Sequence, residues 1–308
     1  RKRYVITLAH PAPVKKSAMN RTAAALTFLL AGALPALAAD KPISIVAAEN
    51  FYGEAAQAVG GNRVSVTNVI EQPGTDPHDY EPTAAVARAV ADAEIVILNG
   101  AGYDPWMERL AESSRNDGRT VIDVAALLGR KPGDNPHVWY DPKAIPALVR
   151  AVGAALAKVA PADGTAFRTA GDSYLQSLAP IEARIGALRA RFAGTPVTAT
   201  EPVFGYMADA LGLTMLNGDF QTAVMNETEP SAKSVAAMES DLKGGRVKVL
   251  FYNAQVEDPL TQQLSEIARA SGVAVVGVTE TKPDGKTLAE WMLDAINATG
   301  QALGAPAT

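Results

Sequence analysis

Two of the three histidines in this chain stand in matching frames. Thr75-Asp-Pro-His-Asp-Tyr-Glu-Pro82 carries His78, and Asn135-Pro-His-Val-Trp-Tyr-Asp-Pro142 carries His137. In both, the imidazole follows a proline and the frame closes on an acid followed by proline. Proline holds its own φ near about −65° and pushes the preceding residue toward extended backbone, so each ring is presented from a stiffened loop. One loop histidine alone reads as a solvated polar residue. A matched pair reads as a metal site, since neutral imidazole is the commonest metal ligand. The third, His10, lies in the leader region and has no part in it.

Imidazoles alone do not neutralise a cation, and the acids are found by asking what occupies the strand ends. In open parallel sheets ligands bind beyond the carboxyl ends of the strands. His78 lies in the loop after a candidate strand at 64–70, and His137 some way after one at 120–124. In the second half Glu201 directly follows a candidate strand at 196–200, and Glu280 comes two residues after one at 273–278. Two neutral nitrogens with two carboxylates balance a divalent charge and suit Mn²⁺, Fe²⁺ or Zn²⁺. With no cysteine, the softest thiolate-dependent alternatives drop out. Asp79, Glu81 and Asp141 compete for the same role, but flanking prolines and Asx-type turn bonding already account for them.

The elements that position these residues follow an α/β alternation. Short β-branched runs at 43–48, 64–70, 94–98 and 120–124 are separated by alanine-rich helical stretches at 50–59, 83–92 and 104–113, with another at 143–158. Asp104-Pro105 reads as a helix cap with proline in the first turn, and Gly60-Gly61-Asn62 as a helix stop. The alternation restarts with strands at 196–200, 213–216, 247–253 and 273–278 and helices at 202–211, 231–242, 259–271 and 287–302. Between the halves, Phe167, Tyr174, Leu178, Ile181, Ile185, Leu188 and Phe192 fall on one stripe of an amphipathic helix. That helix is about 30 residues or roughly 45 Å long at helical rise. Pro180 is expected to kink it without ending it, because the stripe keeps register on both sides. The fold class is therefore α/β, with two lobes of roughly four parallel strands and flanking helices joined by one long backbone helix. The boundaries are 41–160 for the N-terminal lobe, 161–193 for the linking helix and 194–308 for the C-terminal lobe.

The first forty residues read differently. Met19, Asn20-Arg21, an apolar run to Leu37 and the small-x-small end Ala36-Leu37-Ala38 form a secretory signal peptide over 19–38, behind an upstream segment at 1–18. The run of about sixteen residues falls short of the roughly 20 that a membrane-spanning helix needs. The leader also lacks the cysteine that lipid attachment requires, so a soluble periplasmic or secreted protein is expected. The leader holds six of the 28 basic residues and none of the 33 acids, leaving 22 against 33, a formal charge of −11. That acidity argues against nucleic acid and anionic membrane and accords with a cationic ligand.

Several motifs in this order carry a family resemblance. The leader, Asp76-Pro77-His78 with Glu81-Pro82, Asn99-Gly100-Ala101-Gly102 with Pro105-Trp106-Met107, Asn135-Pro136-His137-Val138-Trp139, the long mid-chain helix, and Glu201 with Phe204-Gly205-Tyr206 resemble the periplasmic solute-binding proteins of metal-ion ABC importers. The resemblance runs from about residue 43 to 300. It implies two lobes joined by a rigid helix, a metal held between them by His78, His137, Glu201 and an acid near the last strand, and delivery to a membrane permease by a monomer without catalytic activity. Zinc members of the family typically carry a third histidine where this chain has Glu201, and often a histidine-rich loop that residues 79–136 lack. The fourth ligand is commonly aspartate; here Glu280 matches best and Asp284 less well. The set resembles the manganese and iron members more than the zinc ones. Two other readings stand beside this one. A mononuclear hydrolase or iron oxygenase could use the same residues with open coordination positions. A binder of organic solutes or metal chelates would need an aromatic and arginine-lined cleft, and the strand ends offer few such residues.

Overall fold

A computed structural model of the chain describes residues 41–72, 75, 77, 80–114, 116–255 and 258–306. The leader, His10, His78 and Asp79 lie outside the described residues. Residues 41–308 form one compact unit containing two parallel four-stranded sheets.

The first sheet consists of β1 (Ile43–Glu49), β2 (Val64–Ile70), β3 (Ile95–Leu98) and β4 (Thr120–Asp123), in the order β2-β1-β3-β4. β3 is buried along its whole length, as its unbroken Ile-Val-Ile-Leu composition requires of a strand covered on both faces. Its flanking helices are α1 (Asn50–Gly60), α2 (Ala84–Asp92), α3 (Pro105–Ser113), α4 (Val124–Leu127) and α5 (Ala144–Val159). Gly61, at φ 55°, ends α1 where the stop was expected. Asp104 departs from expectation: its side chain does not cap α3 but turns back to accept the N–H groups of Asn99 at 2.7 Å and Gly100 at 2.9 Å.

The bridge between the halves is α6 (Gly164–Ser177) followed by α7 (Ala179–Phe192). The single helix expected from the apolar stripe is thus two segments meeting at Leu178. Pro180 has no N–H for the Gln176 carbonyl, so the turn tightens: Leu178 N–H bonds to Leu175 O at 3.1 Å and Ile181 N–H to Leu178 O at 2.9 Å. Leu178 keeps helical torsions (φ −87°, ψ −5°), so the bridge continues across the break.

The second sheet has β5 (Pro196–Ala199), β6 (Thr214–Met215), β7 (Val249–Asn253) and β8 (Ala274–Val278), ordered β6-β5-β7-β8. Its helices are α8 (Gly205–Ala210), α9 (Gly218–Met225), α10 (Ala232–Lys243), α11 (Pro259–Ala270) and α12 (Leu288–Ala302). The helix expected at 202–211 begins instead as a 3-10 turn, Pro202–Phe204, before α8. Both sheets share one topology, in which chain order reverses beside the central pair β1/β3 or β5/β7, and such switch points are where clefts open.

Between the sheets the packing is aromatic. Phe51 of α1 meets Trp139 at 5.6 Å and Trp291 of α12 at 5.4 Å; Tyr140 meets Trp291 at 5.6 Å and Phe204 at 5.1 Å; Phe204 continues to Phe251 of β7 at 4.8 Å. These rings belong to one buried core that spans both halves. Glu54 of α1 adds a polar tie, accepting the first N–H of α12 from Leu288 at 3.0 Å and pairing with Lys282 at 3.3 Å. An anion at a helix N-terminus is stabilised by the helix dipole. A buried apolar core continuous between the two lobes opposes large hinge motion.

Candidate metal centre

His137, Glu201 and Glu280 converge from the two lobes. One ligand atom from each lies within 4.8 Å of the others, and His137 Nε2 stands 3.7 Å from Glu280 Oε2. All three are nearly or wholly buried, at 0%, 9% and 6% exposure. Metal–ligand bonds of about 2.0–2.2 Å put neighbouring donor atoms about 3–4 Å apart, so this spacing accommodates one ion after slight contraction. Of the four residues picked out by sequence, three are brought together and His78 lies outside the described residues. Asp284 is exposed and outside the cluster, and Glu81 is exposed. Asp141 accepts the Lys143 N–H at 3.0 Å and faces Arg130 at 3.9 Å, which is the turn role expected of it.

Each side chain is fixed from behind. His137 begins the 3-10 turn Val138–Tyr140, whose three residues are buried, and Trp139 packs its ring 5.3 Å from the imidazole. Glu201 follows β5 and precedes Pro202, with Val203 and Phe204 buried beneath it. Glu280 is held from both flanks. The Thr279 carbonyl accepts the Tyr140 hydroxyl at 2.9 Å and the Thr279 hydroxyl accepts Trp291 Nε1–H at 2.9 Å, while Gln255 Oε1 accepts the Glu280 N–H at 2.6 Å.

Asn253, at the end of β7, was missed from the sequence. Its amide donates to Glu201 at 3.0 Å and to Glu280 at 2.5 Å, one NH₂ group holding both carboxylates. The strand-end rule would have found it had amides been sought along with acids. Asn99 was also missed as a support: it accepts the Tyr52 hydroxyl at 2.6 Å and donates to the Pro136 carbonyl at 2.8 Å, fixing the residue before His137. The loop after Asn99 places Gly100, Ala101 and Gly102 at positive φ, and a Cβ on Gly100 would come within 2.0 Å of Asp123.

Behind this loop Glu49, at the end of β1, is 1% exposed, and neither of its carboxylate oxygens has a hydrogen-bond partner among the described residues. Burial, with the nearby Asp104 charge, pushes its pKa well above the ordinary 4.5. Burial likewise raises Asp104 to about 7 despite the two N–H bonds it accepts. An acid whose pKa rises on folding holds its proton in the folded state while the unfolded chain loses it. Its contribution to stability therefore falls as pH climbs from the unfolded value toward the folded one. Glu49→Gln is expected to raise Tm by about 2–4 °C at pH 8 and by less at pH 5. Thermal melts at the two pH values check this, and an equal shift at both would remove the proton from the explanation.

Against known proteins, the family model described as zinc-uptake complex component A, periplasmic, matches residues 45–302. The manganese-binding lipoprotein MntA of Halalkalibacterium halodurans is 29% identical over 145 residues, 46% of this chain and 47% of that protein. The iron-binding protein YfeA of Yersinia pestis is 22% identical over 237 residues, covering 73% of this chain and 74% of its own. Among solved structures, the periplasmic zinc-binding protein TroA of Treponema pallidum shares the fold at a TM-score of 0.68 and 21% identity, covering 86% of this chain and all of that one. With the family model spanning nearly all of residues 41–308, this chain belongs to the ZnuA family of periplasmic metal-uptake components.

Proposed function

We propose that this chain captures a divalent transition metal, Mn²⁺, Zn²⁺ or Fe²⁺, between its two lobes and delivers it to the permease of an ABC importer. The observation that carries this reading is the buried meeting of His137, Glu201 and Glu280 from opposite lobes. His78 supplies the fourth ligand. In this reading 19–38 is the cleaved leader without lipid attachment, 41–160 and 194–308 are the lobes, 161–193 links them, and the mature protein works in the periplasm as a monomer. Its formal charge of −11 favours a cation and disfavours nucleic acid.

Catalysis is disfavoured by the enclosure of the site. An activated water and a substrate both need open coordination positions beside the metal, whereas Glu280 and Glu201 close the C-terminal side and Asn253 fills the gap between them. The names of the three relatives span manganese, iron and zinc, so the metal is set by coordination geometry and supply more than by ligand type. Zn²⁺ is expected to bind more tightly than Mn²⁺ by the Irving–Williams order even if Mn²⁺ is the physiological cargo.

Trp139 provides the test. Its buried ring adjoins His137, and its indole N–H has no acceptor among the described residues, so phenylalanine can replace it without breaking a hydrogen bond. Titration with Zn²⁺ or Mn²⁺ is expected to change tryptophan emission in the wild type and to leave Trp139→Phe nearly silent while its calorimetric affinity is kept. A full signal in the variant would place the metal nearer Trp106 or Trp291.

A further inference from the structure

Asn135 touches both lobes at once, and neither the ligand set nor the fold accounts for that. Its Oδ1 accepts from His137 twice, from the backbone N–H at 3.1 Å and from the ring Nδ1 at 2.6 Å. Its Nδ2 reaches across to the second lobe and donates to the carbonyl of Pro202 at 2.8 Å, one residue beyond Glu201. The Asn135 carbonyl in turn accepts the Tyr206 hydroxyl of α8 at 2.7 Å, and Arg130 lies over the Tyr206 ring at 4.7 Å. Space for the amide is provided by Gly205, where a Cβ would stand 3.1 Å from Nδ2.

The chemistry of these partners leaves the amide one orientation. A carbonyl can only accept, so Pro202 takes the NH₂ group; a backbone N–H can only donate, so His137 takes the oxygen. With the oxygen turned to the ring, Nδ1 must carry the imidazole proton. In the neutral ring the lone pair is then on Nε2, the atom that faces Glu280 and has no hydrogen-bond partner among the described residues.

We propose that Asn135 is a positioning residue that sets the ligating tautomer of His137 from the opposite lobe, so that metal affinity and lobe apposition are linked through one amide. The proposal rests on the metal-capture reading and deepens it. When Pro202 is in place the amide cannot turn, and Nε2 stays a free donor atom for the metal. When the Pro202 turn draws back, the amide loses its anchor and the ring is free to take the other tautomer, which lowers affinity and favours release. Linkage requires the converse: bound metal, by fixing the tautomer, strengthens the contact between lobes.

The test uses the full chain. Long-range ¹H–¹⁵N spectra of the metal-free protein read each imidazole tautomer, with His78→Gln and His137→Gln assigning the signals, and calorimetry with Zn²⁺ reads affinity. Wild type is expected to show His137 with its proton on Nδ1. Asn135→Ala should give a mixture of tautomers and Zn²⁺ affinity lower by about tenfold or more, as loss of a partner behind a metal-ligating histidine does. Asn135→Asp separates the two functions, since a carboxylate still accepts from Nδ1 but repels the Pro202 carbonyl. It should keep the Nδ1–H tautomer while the amides of residues 203–207 exchange faster with solvent. The proposal is overturned by an Nε2–H tautomer in wild type, by a single wild-type tautomer and affinity in Asn135→Ala, or by unchanged exchange in Asn135→Asp. Absence of any Zn²⁺ binding by wild type would instead sink the metal-capture reading, and the tautomer spectra, recorded without metal, would still decide Asn135's role.

Discussion

Glu201→Ala and Glu280→Ala are each expected to weaken metal binding by about tenfold or more, about 1.4 kcal/mol, and the double variant to abolish it. Both carboxylates are nearly buried and share the Asn253 amide, so two acids that repel each other when both are ionised are held close in the metal-free protein. Removing one relieves that repulsion. The metal-free single variants should therefore stay folded, with Tm equal to or above that of wild type, while losing the rise in Tm that saturating metal gives. This pairing of outcomes separates a ligand from a structural acid, whose removal would lower metal-free stability as well. Affinity unchanged in calorimetry would take that residue out of the site.

His137→Ala should cost more, because the imidazole is both donor and core. Loss of the only described nitrogen ligand is expected to reduce affinity by about a hundredfold or more. The ring is fully buried, lies 5.3 Å from Trp139 and 6.2 Å from Tyr103, and satisfies Asn135. Its deletion leaves a cavity and removes the shorter of the two hydrogen bonds that Asn135 Oδ1 accepts, so stability is expected to drop by about 1–3 kcal/mol. Chemical denaturation of the metal-free variant measures the second effect independently of the first. Affinity within threefold of wild type would place the metal away from His137.

Much of this fold is legible in the sequence, for reasons that differ by element. The central strands stand out because strands inside parallel sheets are buried on both faces and must be continuous apolar runs, as Ile95–Leu98 is, while the edge strands are legible from their β-branched residues. The bridging helix is visible in its stripe, but not its break, because the stripe reports which face packs and not whether every N–H finds a carbonyl. α9 was not among the helices expected; Asn217 adopts left-handed torsions (φ 61°), and the helix starts directly after it. Asp104 misled as a cap because a carboxylate beside a helix start satisfies whichever N–H groups the tertiary fold brings closest, here those of Asn99 and Gly100.

The candidate site follows the same division. His137, Glu201 and Glu280, which the structure brings together, were singled out because charge balance and the strand-end rule act on residue type and position, both of which sequence records. Asn135 and Asn253 were not, because an amide has no charge to balance and its importance lies in which groups it bridges. Asn135 links positions 67 apart in the chain through Pro202, and Asn253 joins Glu201 to Glu280. Bridges of that kind become visible only when both lobes are in place.

The most direct test of metal capture is elemental analysis of the protein isolated without chelator and reloaded in competition between Mn²⁺ and Zn²⁺, beside the Glu201→Ala/Glu280→Ala double variant. The expected result is a single transition-metal ion per wild-type chain, with Zn²⁺ displacing Mn²⁺, and none retained by the double variant. A wild-type protein that holds no metal, or a double variant that holds as much as wild type, would contradict the account.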